Sequence, residues 1–511
     1  MSLYGGNSPR LGIAVLCVAQ FVVVLDVTLV ATALPAIGAD LGVAGGRLGA
    51  VVTAYTVAMA GLLLLGGRIA DVAGAAPMFR LALVGFAVTS AACASAPSSA
   101  VLIAARIAQG AAAALLSPSA LAVLQDLTRD DGAARRRALG WWTAAAAGGG
   151  ASGWVLGGVL LELAGWRWAF AINVPIGLLA VLVARGLPPG GSRGRREERG
   201  LDVSGAAMVT VAIAAAVLGL STVAGRPAGW LGWALLAGAG LLSAVFVRHE
   251  RRTTRPLLPG HLVAQPGVRG GNLTAAALTA CTSPAMLTVV WYVQGQLRLP
   301  PARGALLFPV FNVAVVAGAL AGPRLLSRWG TRTLLLAGFA AVTAGTLVLL
   351  TLPDRGLPLV TLLGSFALMG GGLGVASLAS TAAGTADVSP DDQGVAAGLL
   401  ASSAQLGTAV GVAVTTPLVA GVVPGGYRLG FLAATVVAVA GAAASLGPRG
   451  GSRPMGSTSS SAGLESARTV RHSPGRGRWR SPPRTVTRAA RGRSRHEVSI
   501  RSLGISYYRI R

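Results

Sequence analysis

Apolar runs close to twenty residues recur along almost the whole chain, separated by short stretches that gather Arg, Asp, Gly and Pro. As a helix, a run of that length crosses a bilayer hydrocarbon core of about 30 Å. Read in order, the runs place spans at 11–37, 47–67, 79–97, 99–124, 138–161, 167–185, 203–223, 230–248, 271–296, 303–323, 332–352, 357–380, 394–422 and 428–447, fourteen in all. A turn at Gly225, Pro227 and Gly229 divides the pair at 203–248, and Thr282, Ser283 and Pro284 interrupt the run at 271–296. The first run is too long for a signal-peptide core and holds Asp26, so it reads as a retained span. The pattern predicts an all-α polytopic membrane protein.

Composition agrees. Of 511 residues, 53% are hydrophobic and only 12% charged, with mean hydropathy +0.65. Soluble globular chains carry roughly 25% charged residues. The 72 Gly suit close helix–helix approach in lipid. Cys17, Cys93 and Cys281 are scattered thiols without metal spacing, and His249, His261, His472 and His496 fall outside the predicted spans. No metal or cofactor is expected.

The net charge of +26 raises nucleic acid as a partner, but its placement argues against that reading. Half of it comes from the segment after Pro448, which holds fifteen Arg against Glu465 and Glu497. That segment is rich in Ser, Pro, Gly and Arg, lacks apolar periodicity and is expected to be a disordered basic tail. Much of the remaining charge sits in loops. One set holds Arg68 and Arg80, Arg129 and Arg135 to Arg137, Arg193 to Arg199, Arg248 to Arg255, and Arg324 to Arg332. The alternate loops are short and poor in Arg, which predicts that the first set and both termini are cytoplasmic.

Two charges interrupt the apolar pattern. Asp26 lies mid-run, and Arg106 lies about eight residues into the fourth span. Insertion scales put a central Arg or Asp at about 2.5–3.5 kcal/mol, so each is a candidate functional residue. Gln109 lies one turn beyond Arg106 on the same face. Desolvation favours the neutral form of a carboxyl and a nearby cation the charged form, so a carboxylate balanced between them can take and release a proton. Gly149, Gly153 and Gly157 recur at every fourth residue and make a smooth groove for a neighbouring helix. Glu162, Trp166 and Arg167 suggest an interfacial salt bridge. Thr28, Asn173, Gln294, Asn312 and Gln405 are polar residues in spans and candidates to line a cavity. No phosphate loop, nucleophile elbow or zinc pair is present, so an enzyme is not expected.

Several stretches resemble the major facilitator superfamily and, within it, the fourteen-span drug:proton antiporters. LDVTLVATALPAI (25–37) resembles that family's LDxTxVNxALPxI signature, with Ala31 for Asn. GGRIADVAG (66–74) resembles its G-x-x-x-D-R-x-G-R-R loop: Gly67, Asp71 and Gly74 match, whereas Val72, Ala75 and Ala76 replace the basic positions. Arg106, Gln109 and Gly110 match R-x-x-Q-G. GGGASGWVLGG (148–158) resembles the antiporter motif G-x-x-x-G-P-x-x-G-G through Gly149, Gly153, Gly157 and Gly158, with Trp154 in place of Pro. WRWAFAINVPIG (166–177) and the stretch 394–414 also match, so the resemblance covers about residues 11 to 447.

The resemblance implies two six-helix bundles, residues 1–190 and 266–448, with two extra central helices in an insertion at 191–265 and the tail at 449–511. It implies proton-coupled efflux of drug-like or secondary-metabolite small molecules from the cytoplasm by a functional monomer in the cell membrane. Asp26, Arg106 and Gln109 are then the coupling residues and Gly67, Asp71 and Gly74 the gate, with Asp71 paired to Arg80 or to Arg135–Arg137. The altered loop and Trp154 leave two other readings open: a degenerate or regulatory membrane protein without transport, and an uncoupled facilitator.

Overall fold

The computed structural model describes residues 8–43, 45–129, 131–187, 202–225, 229–253, 256–258, 260–386, 388–389, 392–420 and 426–445. The basic tail and the whole stretch 188–201 lie outside them. The first half comprises α1 (Ser8–Leu41), α2 (Gly45–Ala73), α3 (Ala75–Ala94), α4 (Ser99–Leu127), α5 (Gly132–Ala164), the single turn α6 (Trp168–Ala171) and α7 (Asn173–Ala184). The insertion contributes α8 (Val203–Gly225), α9 (Trp230–Arg252) and the short α10 (Gly260–Val263). The second half runs α11 (Pro266–Trp291), a π turn at Tyr292–Gln296, α12 (Pro301–Ala305), α13 (Pro309–Leu349), α14 (Leu359–Thr385), α15 (Gln393–Ala420) and α16 (Gly426–Ser445). No strand occurs among the described residues.

Among the described residues, twelve helices are long and apolar enough to cross a membrane. Two features separate that number from fourteen. The sixth pass is divided into α6 and α7 and reads as a shorter apolar helix, Trp168–Ala184. The 41 residues of α13 would extend about 60 Å, twice a bilayer core. Gly330, at φ 75 and ψ 166, breaks it where Arg324, Arg328 and Arg332 cluster. Dividing α13 there and counting Trp168–Ala184 is consistent with fourteen passes.

Small residues set the helix spacing. Gly66 of α2 lies on the Ala114 carbonyl of α4, and Gly110 of α4 lies on the Tyr55 carbonyl of α2, each too close for a Cβ. Gly407 and Gly411 of α15 meet the Ala276 and Ala280 carbonyls of α11 in the same way. The first bundle closes around Tyr55, Phe79, Phe86 and Leu116, and the second around Phe308, Phe311, Phe366 and Phe431.

α8 packs on α2 and on α15, covering the seam between the bundles: Val217 is buried with Val57, Ala409 and Ala413. α9 packs on α8 and leaves Trp230, Trp233 and Leu241 outward. At the Arg-rich end, Asp202 accepts from Gly205 N, Ser204 Oγ and His249 Nε2 at 2.8, 2.8 and 3.0 Å, which ties the start of α8 to the end of α9. Arg68 of α2 donates to the Pro256 and Leu257 carbonyls, and Glu250 accepts from the Leu257 and Leu258 amides. The segment leaving the insertion is thereby tied to the first bundle.

The candidate coupling site and the seam between the bundles

Asp26 lies on α1 with no solvent exposure, and side chains from α4 and α7 hold its carboxylate. Its Oδ2 accepts from Arg106 Nη1 of α4 at 2.6 Å. Its Oδ1 accepts from Gln109 Nε2 at 2.9 Å and from Asn173 Nδ2 of α7 at 2.8 Å. Arg106, 1% exposed, also donates from Nε to the Val51 carbonyl of α2 at 3.1 Å and from Nη1 to Gln109 Oε1 at 2.7 Å. Its guanidinium lies over the Tyr55 ring, 4.2 Å from the centroid. Gln109 Nε2 reaches Ser90 Oγ of α3 at 2.8 Å. Gln109 thus bridges acid, base and a third helix.

This is a charge-assisted pair whose members keep neutral partners of their own. Charge-assisted hydrogen bonds are about twice as strong as neutral ones, and removing one partner of a buried pair strands the other charge. Two polar atoms of the cluster, Tyr55 Oη and Asn173 Oδ1, are buried without a protein hydrogen-bond partner.

The structure brings Asp26, Arg106 and Gln109 together and adds Asn173 to them. Asn173 differs from its expected place in the cavity: it is fully buried and faces Asp26, because the break between α6 and α7 puts it at the start of a helix packed on α1 and α3. Ser90, Tyr55, Val51 and Phe170 are members that the sequence does not single out, since ordinary apolar spans carry such residues too. Gln109 at three residues from Arg106 is the one signal that points inward.

α5 divides its small residues between two faces. Gly149, Gly153 and Gly157 lie on Phe21, Thr28 and Thr32 of α1, so the groove is filled by the helix that carries Asp26. One residue on, Gly150, Trp154 and Gly158 face the second bundle: Gly150 lies against Asn312, and Gly158 against Ala305 and the Pro301 carbonyl. Trp154 stacks on Phe308, with centroids 4.2 Å apart and planes 11° apart, and Phe308 in turn lies 5.3 Å from Phe366. Trp154 therefore stands across the seam and not in the groove beside α1.

Of the other expected cavity residues, Thr28 bonds the Leu25 carbonyl within the Gly153 contact, and Gln294 donates to the Thr32 carbonyl across the seam at 3.3 Å. Asn312 keeps Nδ2 buried without a protein partner, and Gln405 is half-buried on α15. Four contacts of α1 and α5 with the second half lie toward the Arg-poor end, namely Gln294 with Thr32, Trp154 with Phe308, Gly158 with Ala305, and the Ala302 amide with Glu162, while Gly150 meets Asn312 nearer the middle of α5.

The expected Glu162–Arg167 bridge does not form. Arg167 pairs instead with Asp40 at the end of α1, at 2.7 Å, and Trp166 donates to the same carboxylate. Gly165, at φ 84, turns the chain between Glu162 and Arg167 and aims the guanidinium at α1. In the loop motif, Gly74 caps the start of α3 at φ 99, and a Cβ at Gly67 would make only ordinary contact with Pro118. Ala75 and Ala76, which replace basic residues of the pattern, are buried in the first bundle. Arg80 donates to the Arg185 carbonyl, and the Asp71 side chain lies outside what the structure describes.

The chain matches the Major Facilitator Superfamily over residues 16–412 and 271–489. It is 36% identical over 419 residues to the puromycin resistance protein pur8 of Streptomyces alboniger, covering 80% of this chain and 82% of that one. It is 37% identical over 403 residues to the cephamycin export protein CmcT of Amycolatopsis lactamdurans, covering 78% and 82%. The tetracenomycin C resistance and export protein of Streptomyces glaucescens is 30% identical over 411 residues, with coverage of 79% and 74%. Among solved structures, a D-xylose–proton symporter superposes with a TM-score of 0.62 at 11% identity, covering 86% of this chain and 98% of that one. A bacterial homologue of the human lysosomal transporter Spinster, captured inward-facing and occupied, gives 0.61 at 15%, with coverage of 86% and 97%. Sequence, fold and relatives agree that this chain is a multi-pass membrane protein belonging to the Major Facilitator Superfamily of transporters.

Proposed function

We propose that this protein is a proton-coupled exporter of drug-like or secondary-metabolite small molecules, working as a monomer by alternating access. The observation that carries the reading is the buried Asp26–Arg106 pair bridged by Gln109. The printed functions of its relatives, antibiotic resistance and export, support the cargo class.

The chemistry follows from the partners. Asp26 as a carboxylate is held by Arg106, Gln109 and Asn173. A proton arriving on Oδ2 forms an O–H bond and removes the charge that holds Arg106. Arg106 then keeps the Val51 carbonyl, Gln109 Oε1 and the Tyr55 face. α1 carries Asp26 on one face and the Gly149/Gly153/Gly157 contact on another, so a change in the pair acts on the helix that meets α5. α5 in turn carries Trp154 to the second bundle. That is a continuous route from proton to seam.

In this reading the Arg-rich loops and both termini are cytoplasmic, and the seam contacts at the Arg-poor end describe a state closed to the outside. One proton moved inward across 100 mV supplies about 2.3 kcal/mol, or roughly fortyfold accumulation. Expression in a pump-deficient bacterial host tests the function: resistance to puromycin-like compounds and reduced dye accumulation are expected, both abolished by collapsing the proton gradient. Accumulation equal to that of the empty host would contradict it.

A further inference from the structure

We infer that this chain exchanges at most one proton per transport cycle and is therefore suited to neutral or singly positive cargo. The inference rests on the exporter reading above and adds a stoichiometry and a charge limit to it.

The observation is where the ionisable side chains lie. The chain has 17 Asp and Glu. Among the described ones, Asp26 alone lies in the middle of a long helix. Asp40, Asp126, Glu162 and Glu250 lie in the last turns of their helices, and Asp131, Asp202, Asp354 and Asp392 in connections. Asp71 is two residues from the end of α2. The carboxylates outside the described residues fall in sequence between helices or in the tail. Arg106 is likewise the one Arg in the middle of a span, and the chain has no Lys.

α11 and α13 to α16 contain no Asp or Glu at all. Tyr427 and Arg428 at the start of α16 meet Asp354 of the connection before α14, whereas the polar contacts between α11 and α15 are hydroxyl and amide pairs: Ser403 with Asn272 at 2.8 Å, Ser283 with Thr408 at 3.2 Å, and Thr279 with the Ala404 carbonyl at 2.6 Å. Such groups do not exchange a proton near neutral pH, and thiols and phenols ionise only above it. One carboxylate can load one proton from water on one side, break its pair with Arg106, and return the proton to water on the other side.

The pair also sets the charge the site tolerates. With Asp26 ionised, the pair is neutral. With Asp26 protonated, Arg106 is a buried cation with neutral partners only, and it repels a cationic cargo. A proton and a monovalent cation thus exclude each other by charge, and their exchange moves no net charge across the membrane. Exchange of a neutral cargo moves one positive charge inward. A dication meets no second carboxylate, and its exchange for one proton works against an inside-negative potential.

The test uses the full-length protein in sealed proteoliposomes with two probes, ethidium as a permanent monovalent cation and chloramphenicol as a neutral compound, read against protein-free vesicles. With the potential clamped at zero by potassium and valinomycin, a one-unit pH gradient is expected to sustain at most about a tenfold gradient of either probe. A potential of 100 mV without a pH gradient is expected to drive chloramphenicol by up to about fortyfold and to leave ethidium undriven. Accumulation approaching a hundredfold per pH unit, or ethidium gradients built by potential alone, overturns the single-proton inference while leaving the exporter reading intact. Failure of both probes to respond to either gradient overturns the exporter reading and this inference with it.

Discussion

Trp154 of α5 and Phe308, just before α13, lie face to face across the seam between the two bundles, 4.2 Å apart and 11° from parallel. Both are buried, Trp154 at 5% and Phe308 at 2% exposure. Trp154 occupies the position where the antiporter pattern has Pro. In this chain that position holds the bundles together at the Arg-poor end.

An aromatic pair contributes about 0.5–1.5 kcal/mol beyond its buried area, which is a shift of roughly two- to tenfold in a two-state equilibrium. Trp154→Ala and Phe308→Ala are each expected to move the protein by that factor toward opening at the Arg-poor end. Spin labels at the exposed positions Leu163 and Leu306 report it as a longer and broader distance distribution. An unchanged distribution in both variants would remove the stack from the seam's energetics.

The α1–α5 contact is tighter than any side chain allows. A Cβ at Gly153 would overlap Thr28 Oγ1 and the Leu25 carbonyl, and one at Gly149 would overlap the Phe21 carbonyl, whereas Gly140 has nothing within 4 Å. Gly153→Ala and Gly149→Ala are expected to lower the melting temperature of detergent-purified protein by several degrees, at an overpacking cost of about 1–3 kcal/mol. Gly140→Ala is the control and is expected to leave it unchanged.

Asp202 gives a pH dependence outside the spans. Burial pushes its carboxyl upward, but the Gly205 amide, His249 and Ser204 together hold it below the ordinary carboxylate value. A lowered folded-state value means that the stabilisation is present above the unfolded value, about 3.9, and is lost as pH falls through the lower folded value. Protection against hydrogen exchange at the start of α8, taken relative to the intrinsic rate at each pH, is therefore expected to fall on acidification below about pH 4. Asp202→Ala is expected to exchange fast throughout and to lose that pH response.

Arg68 donates to the carbonyls of Pro256 and Leu257, and Leu257 is buried with Leu65 and Ala206. Arg68→Ala is expected to release the segment after α9, read as faster proteolysis between α9 and α10 with the melting temperature nearly unchanged. Arg68→Lys, which keeps a charge but not the planar fork, is expected to restore protection only partly.

Much of this was legible in the residues and some was not, for identifiable reasons. Asp26 and Arg106 stand out because charge is costly inside an apolar run, and Gln109 because three residues is one helical turn. Their pairing at 2.6 Å is a tertiary fact that neither run states alone. A polar residue in a span announces its presence but not its direction, so the residues alone do not place Asn173 beside Asp26. Glu162 and Arg167 are neighbours in sequence, yet a positive-φ Gly165 sends the guanidinium to Asp40. The glycine series predicts a groove, but the Trp154 face one residue away is visible only once Phe308 is placed opposite it. The span boundaries followed hydropathy, and Gly330 breaks α13 where the Arg cluster puts a loop.

The central claim is that Asp26 carries the proton that drives export, and Asp26→Asn in sealed proteoliposomes tests it most directly. The amide can donate to or accept from the same neighbours but cannot exchange a proton with solvent. The variant is expected to insert and to exchange labelled for unlabelled chloramphenicol, the neutral probe, across the membrane, while an imposed pH gradient no longer drives its net accumulation. Net accumulation at the wild-type level, driven by the same gradient, would contradict the assignment.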